Sequence, residues 1–151
     1  MTAPTFFTDR DLGKQFPAIL ETAGFFVERH AAHFSHDTPD DQWLSVVAAR
    51  GWIILTHDQR IRYKVNERDA VMANGAGLIV LVGKAPFPDL ARSFVASRHA
   101  VSRFLSRTPL PFIAKVHQPR PADRKKDPAA SGTIELWLSA SEWRRKRRSS
   151  R

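Results

Sequence analysis

The chain has 151 residues, 42% of them hydrophobic and 26% charged, with 24 Lys+Arg against 15 Asp+Glu and no cysteine. This length suits one domain with a proper core, and the composition is that of an ordinary soluble globular protein. The lack of cysteine excludes disulfides, thiolate zinc sites and a cysteine nucleophile, and no apolar run approaches the roughly 18 residues of a membrane span.

The opening Met1-Thr2-Ala3-Pro4 carries neither a basic n-region nor an apolar h-region, so a signal peptide is not expected and a cytoplasmic address is. The net charge of +9 is unevenly spread. Residues 1–83 hold 8 Lys+Arg and 10 Asp+Glu, whereas residues 84–151 hold 16 and 5. A near-neutral half with several carboxylates joined to a strongly basic one suits a polyanion gripped by one surface and processed at another.

In chain order, Thr5-Phe6-Phe7-Thr8 predicts a strand closed by Asp9. Phe16, Ile19, Leu20 and Ala23 recur at helical spacing over 14–23 and stop at Gly24; Phe25 to Val27 read as a second strand. His30 to His36 is polar and loop-like. Thr38 as N-cap, Pro39 at the first helical position and an acid in the first turn predict a helix whose buried stripe is Trp43, Leu44, Val47 and Ala48, ended by Gly51. Trp52 to Thr56 is an apolar strand that delivers Thr56, His57 and Asp58 at its end. A polar, basic helical segment to about Asn74 precedes a strand at Leu78–Val82.

Beyond it, one long helix is expected from near Pro88 to about 107, with Leu90, Phe94, Val101, Phe104 and Leu105 facing inward. A strand follows at Phe112–Val116, then an exposed loop over 117–132. Thr133 to Leu138 alternates and reads as an edge strand, and Arg144 to Arg151 as a disordered basic tail. Apolar strands alternating with helices predict the α/β class: a mainly parallel sheet with helices on both faces.

In such a sheet, ligands bind beyond the carboxyl ends of the strands. Asp9 and Asp58 end two strands there, and Asp40 opens the helix leading into the second. Asp40 shares a helix face with Trp43, Leu44 and Val47, whereas Asp41 lies about 100° round and is the weaker choice. Asp11 stands ready to share or replace the role of Asp9. Each acid also has a plain structural reading, as a turn residue, an N-cap or a complement to a helix N-terminus. Gathered together, three carboxylates repel, and a divalent cation relieves them; oxygen-only ligands select Mg²⁺ or Mn²⁺. His57-Asp58 superficially matches metal-dependent phosphohydrolases of the His-Asp type, but those need further histidines on a helical scaffold. The remaining histidines show no zinc-ligand spacing on one helix.

The stretches "FFTDRDLG", "DDQWLSVVAARGWIILTHDQRIRYKVNERDAV" and "GLIVLVG" together resemble the PIN-like nuclease family, in particular its VapC-type toxin branch. The resemblance covers roughly residues 5–83. It implies a three-layer α/β/α domain, expected over 1–116; the basic C-terminal extension expected over 117–151 lies outside the resemblance. It also implies an acidic Mg²⁺ or Mn²⁺ pocket, single-stranded RNA as substrate and often a cognate antitoxin protein as partner. By position Asp9 matches the family's first-strand acid, Asp40 or Asp41 its helix-start acid and Asp58 the acid after the Thr. Many members carry a further acid, usually Glu, before the helix-start position; Glu21 and Glu28 are the glutamates here, and neither follows a clear motif.

The expectation is thus a metal-dependent endoribonuclease, the toxin of a toxin–antitoxin pair, with Asp9, Asp40 and Asp58 as catalytic metal ligands, supplemented by Asp11 or Asp41. Arg60, Arg62 and Lys64 stand beside the pocket to meet the RNA backbone, unless they are simply a solvated helix face. Arg92 and Arg103, with His99 and Arg107, offer a second RNA-binding face. A homodimer is compatible with this reading, and a membrane partner is not expected. The competing reading is a catalytically inactive PIN-like module that binds nucleic acid or a partner protein.

Overall fold

The computed structural model describes residues 3–58 and 65–149. Six strands form one sheet in the order β2-β1-β3-β4-β5-β6. They are β1 (Thr5–Thr8), β2 (Phe26–Arg29), β3 (Ile53–Thr56), β4 (Gly77–Val82), β5 (Phe112–His117) and β6 (Thr133–Leu138). The first five are mutually parallel, and β6 runs antiparallel along β5. The expected class is found: an α/β fold with a mainly parallel central sheet between two helical layers.

Side-chain alternation explains why the strands read as unbroken apolar runs. Phe6 enters one core cluster and Phe7 the other; Ile53 and Leu55 alternate with Ile54, and Ile79 and Leu81 with Leu78 and Val80. Helices α1 (Gln15–Thr22), α5 (Phe87–Ala96) and α6 (Arg98–Arg107) cover the first face through Phe16, Leu20, Phe94, Val101 and Phe104. Helices α3 (Asp40–Ala49) and α4 (Val65–Ala73) cover the second through Trp43, Leu44, Val47, Val71 and Met72. Phe6, Phe7 and Phe94 are all fully buried; truncating any of them to Ala should cost about 3–5 kcal/mol.

Gly51 ends α3 as its sequence position predicts. At φ 72° it adopts the left-handed conformation. Its N–H reaches Ala48 O at 3.0 Å while Trp52 N–H reaches Val47 O at 3.3 Å, the paired bonds of a Schellman stop. At the other end the expectation shifts by one residue. Pro39, not Thr38, precedes the first helical residue, and its carbonyl accepts from Gln42 N–H at 3.1 Å. The Thr38 hydroxyl lies against Ser35 Oγ instead, 2.9 Å away.

Four further expectations are corrected. His30–His33 form a short helix, α2, rather than loop; buried His30 packs against Phe7, Phe34 and Trp43, which fixes the segment to the core. The long helix at 88–107 is two helices broken at Ser97. The Ser97 hydroxyl donates to Ser93 O at 2.8 Å and accepts from Gly132 N–H at 2.9 Å, so a side chain serves backbone groups where the helix would otherwise continue. Within the 117–132 loop lies α7 (Pro121–Lys126).

The fourth concerns the basic tail, which forms α8 (Ala140–Ser149) instead of being disordered. Ser139 Oγ accepts from Glu142 N–H at 3.1 Å, a Ser-x-x-Glu capping pattern that the arginines mask in the sequence. Trp143 then packs against the second core cluster. The stretch after 117 therefore supplies the edge strand β6 to the same sheet and a helix to the same layer as α4. Among the described residues no helix is long and apolar enough to cross a membrane.

Candidate active site

Parallel β1 and β3 end side by side, which brings their following residues together. Asp9 N–H donates to Leu55 O at 3.1 Å, extending the ladder one residue past β1. Asp9 Oδ1 accepts from Arg10 N–H at 2.7 Å and caps the 3₁₀ turn Arg10–Leu12. That turn sends Asp11 back toward β3, where its Oδ2 accepts from Thr56 Oγ1 at 3.1 Å and from His57 N–H at 3.0 Å. Thr56 Oγ1 lies 3.4 Å from Asp9 Oδ2 and accepts from Asp58 N–H at 3.2 Å. Buried Thr56 is thus the hub that joins Asp9, Asp11 and Asp58. A hydroxyl carries one proton, and the shorter contact assigns it to Asp11.

Asp40 enters from the first turn of α3. Its Oδ1 accepts from Trp43 Nε1 at 3.0 Å and lies 3.4 Å from Arg10 Nη2. Arg10 also donates to the carbonyl of His36, so one guanidinium ties the 3₁₀ turn to the approach to α3. The Asp40 side chain is 61% exposed, which places it at the rim and gives its ion pair little stabilising weight.

Asp9, Asp40, Asp41 and Asp58 all line one cavity of about 190 Å³, floored by Trp43, Leu44 and Ile54. Asn66, Glu67, Ala70 and Val71 of α4 complete its wall. Glu67 and Asn66 are the lining residues that sequence reasoning missed. The signal was available, since a helix beginning after the Asp58 strand puts its first turn at the same sheet edge. Asp11 is not in the lining; it touches the site through Thr56. A larger cavity of about 520 Å³ opens at the other edge, where the parallel strands begin, and its lining holds no carboxylate.

Burial raises the Asp9 pKa from 3.8 to about 6, and the charges of Asp11 and Asp40 add to the rise against the opposing Arg10 N–H. Asp11 is exposed as a residue, yet its carboxyl turns onto Thr56 and His57. Desolvation raises its pKa too, with a contribution from Asp58, against the hydrogen bonds from His57 and Thr56. His57 itself serves structure: its Nε2 lies 2.7 Å from Gly83 O, and its ring meets the edge of Phe87, tying the end of β3 to the β4–α5 connection.

The expected ligand acids Asp9, Asp40 and Asp58, with Asp41, therefore share one cavity. Its donor set is carboxylate oxygen, which fits a hard divalent cation. Among the described residues no three His, Asp or Glu side chains are gathered as a metal-holding group. Arg60, Arg62 and Lys64 lie outside the described residues. Arg92 sits on α5, ion-paired to Asp89 at 3.0 Å, and Arg103 on α6. Both belong to the helical layer across the sheet from α3 and α4, and they no longer share one helix.

No curated protein and no solved structure matches the chain. A family model described as "PIN like domain" matches residues 4–83. This covers β1 through β4, more than half of the chain and every acid of the cavity. The chain belongs to the PIN-like domain family.

Proposed function

We propose that the protein is a metal-dependent endoribonuclease of the VapC-type branch, acting as the toxin of a toxin–antitoxin pair and held in check by a protein antitoxin. One observation carries this reading: five acids, Asp9, Asp40, Asp41, Asp58 and Glu67, line a single cavity beyond the carboxyl ends of β1 and β3. Asp9, Asp40 and Asp58 would hold Mg²⁺ or Mn²⁺, with Asp41, Glu67 or Asp11 completing the set. When bound, such an ion neutralises phosphodiester charge and activates water for in-line displacement.

The chain's own residues do the positioning. The Arg10 N–H orients Asp9, Thr56 orients Asp11, and Trp43 Nε1 orients Asp40. The apolar floor limits water at the cavity base. Family membership supports nuclease chemistry; the toxin role is inferred from the resemblance of "ARGWIILTHD" to that branch.

The test is cleavage of single-stranded RNA by purified protein with Mg²⁺ or Mn²⁺. Activity should vanish with EDTA and in Asp58→Asn, whose circular dichroism should match the parent's. Cleavage that survives in EDTA would overturn the metal-dependent reading. The second reading, a catalytically inactive module that binds nucleic acid or a partner protein, draws on the exposed cations of α8. Absent cleavage together with absent Mn²⁺ binding would establish that one.

A further inference from the structure

We infer that α8 is a phosphate-binding strip for single-stranded RNA, laid against α4 beside the acidic cavity. The inference rests on the nuclease reading for the identity of the strand. Residues 140–149 hold five cations, Arg144, Arg145, Lys146, Arg147 and Arg148, against Glu142 as the one acid. Residues 144–149 are all exposed.

The helix is held in place on the side of α4. Trp143 Nε1 donates to Asp69 Oδ1 at 3.1 Å. Asp69 precedes Ala70 and Val71 in α4 and follows Asn66 and Glu67, all four of which line the cavity. Asn66 and Asp69 differ by about 4.5 Å along a helix axis, so the anchor of α8 sits within one turn of the cavity wall. Guanidinium groups continue the surface over aromatic faces: Arg147 lies 4.8 Å from the Trp143 ring centre and Arg68 5.9 Å from that of Trp137. A stacked guanidinium keeps its edge donors for phosphate.

Charge complementarity selects the occupant. Arg144 and Arg148, Arg144 and Arg147, and Arg145 and Arg148 are like-charge neighbours at helical spacing, an arrangement that destabilises a free helix. A polyanion reverses that cost. An acidic cavity also repels phosphates, and cations beside it are what would bring a nucleic-acid strand to its mouth. A strip that only solubilised the protein would need neither the anchor on α4 nor the single-sign run.

The experiment measures binding of fluorescently labelled single-stranded RNA in EDTA, where no cleavage occurs, across a salt series. Each phosphate contact contributes about 0.7 to the log–log salt slope for single strands. The triple variant Arg144→Gln, Arg145→Gln, Arg148→Gln should lower the slope by about 2 and weaken binding on the order of 100-fold near 0.1 M salt. The matching triple substitution to Lys should keep the slope. An unchanged slope in the Gln triple, or an equal loss in the Lys triple, overturns the inference. Salt-dependent binding lost in the Gln triple, in a protein that cleaves nothing with Mn²⁺, upholds this strip while the nuclease reading fails. Metal-dependent cleavage alongside unaltered binding in the Gln triple does the reverse.

Discussion

Asp9 carries opposing demands at one residue. Its backbone and Oδ1 build the turn after β1, while its carboxyl is desolvated beside Asp11 and Asp40, with a pKa of about 6 against 3.8. A carboxyl whose pKa rises on folding binds its proton more tightly in the native state. Its stabilising contribution is full below about 3.8 and is lost as pH rises through about 6. At pH 8 in EDTA the ionised group should therefore cost up to about 3 kcal/mol. Asp9→Asn keeps the cap acceptor and removes the charge. In urea unfolding the variant should exceed the parent by about 1–3 kcal/mol at pH 8, with the gap closing toward pH 4. A gap independent of pH would place the cause elsewhere.

At the scale of elements, two close contacts add to the β5–β6 ladder in joining the C-terminal pieces to the domain. Gly132 enters β6 so near β5 that an added Cβ would lie 1.9 Å from His117 O and 3.2 Å from Ser97 Oγ. Gly132→Ala should force the backbone apart and cost about 1–3 kcal/mol, seen as a lower urea midpoint with an unchanged slope. A midpoint equal to the parent's would mean that this junction yields freely. The α8 attachment is smaller. Trp143→Ala removes a half-buried indole and leaves Asp69 without its donor, a loss of about 2 kcal/mol. The effect should be local, with amide exchange faster in α8 and unchanged in β3 and β4. Uniform loss of protection would show that α8 unfolds only with the whole domain.

For the whole molecule, metal binding and folding should be linked. Carboxylates that repel in the metal-free protein gain most from a cation, so Mn²⁺ at about 100 times its Kd should stabilise the native state by about 2.7 kcal/mol. For a chain of this size that corresponds to a rise in Tm of roughly 5–10 °C. In Asp58→Asn the shift should be largely lost, and a scan with and without Mn²⁺ reads it directly. An equal shift in both proteins would move the ion away from the cavity between α3 and α4. Charge is also partitioned at this scale: five acids collect at one sheet edge, and the helical cations of the basic half lie on α5, α6, α7 and α8.

Local chemistry made much of this protein legible in its sequence. Short apolar runs located β1, β3, β4 and β5 and period-2 alternation located β6, and apolar residues on both strand faces required a sheet covered twice. Gly51 stopped α3 because a left-handed residue was needed there, and the strand-ending positions of Asp9 and Asp58 put them at one edge once the sheet was parallel. Tertiary structure alone decided what depended on partners far along the chain. Ser97 breaks one helix into two where Gly132 reaches its hydroxyl, and α8 is held by Trp143 meeting Asp69, 74 residues away. Glu67 and Asn66 join the cavity only because α4 folds back beside α3. Propensity and periodicity report interactions within a few residues, whereas a wall shared by two helices or a hydroxyl claimed from across the sheet exists only after the chain has packed.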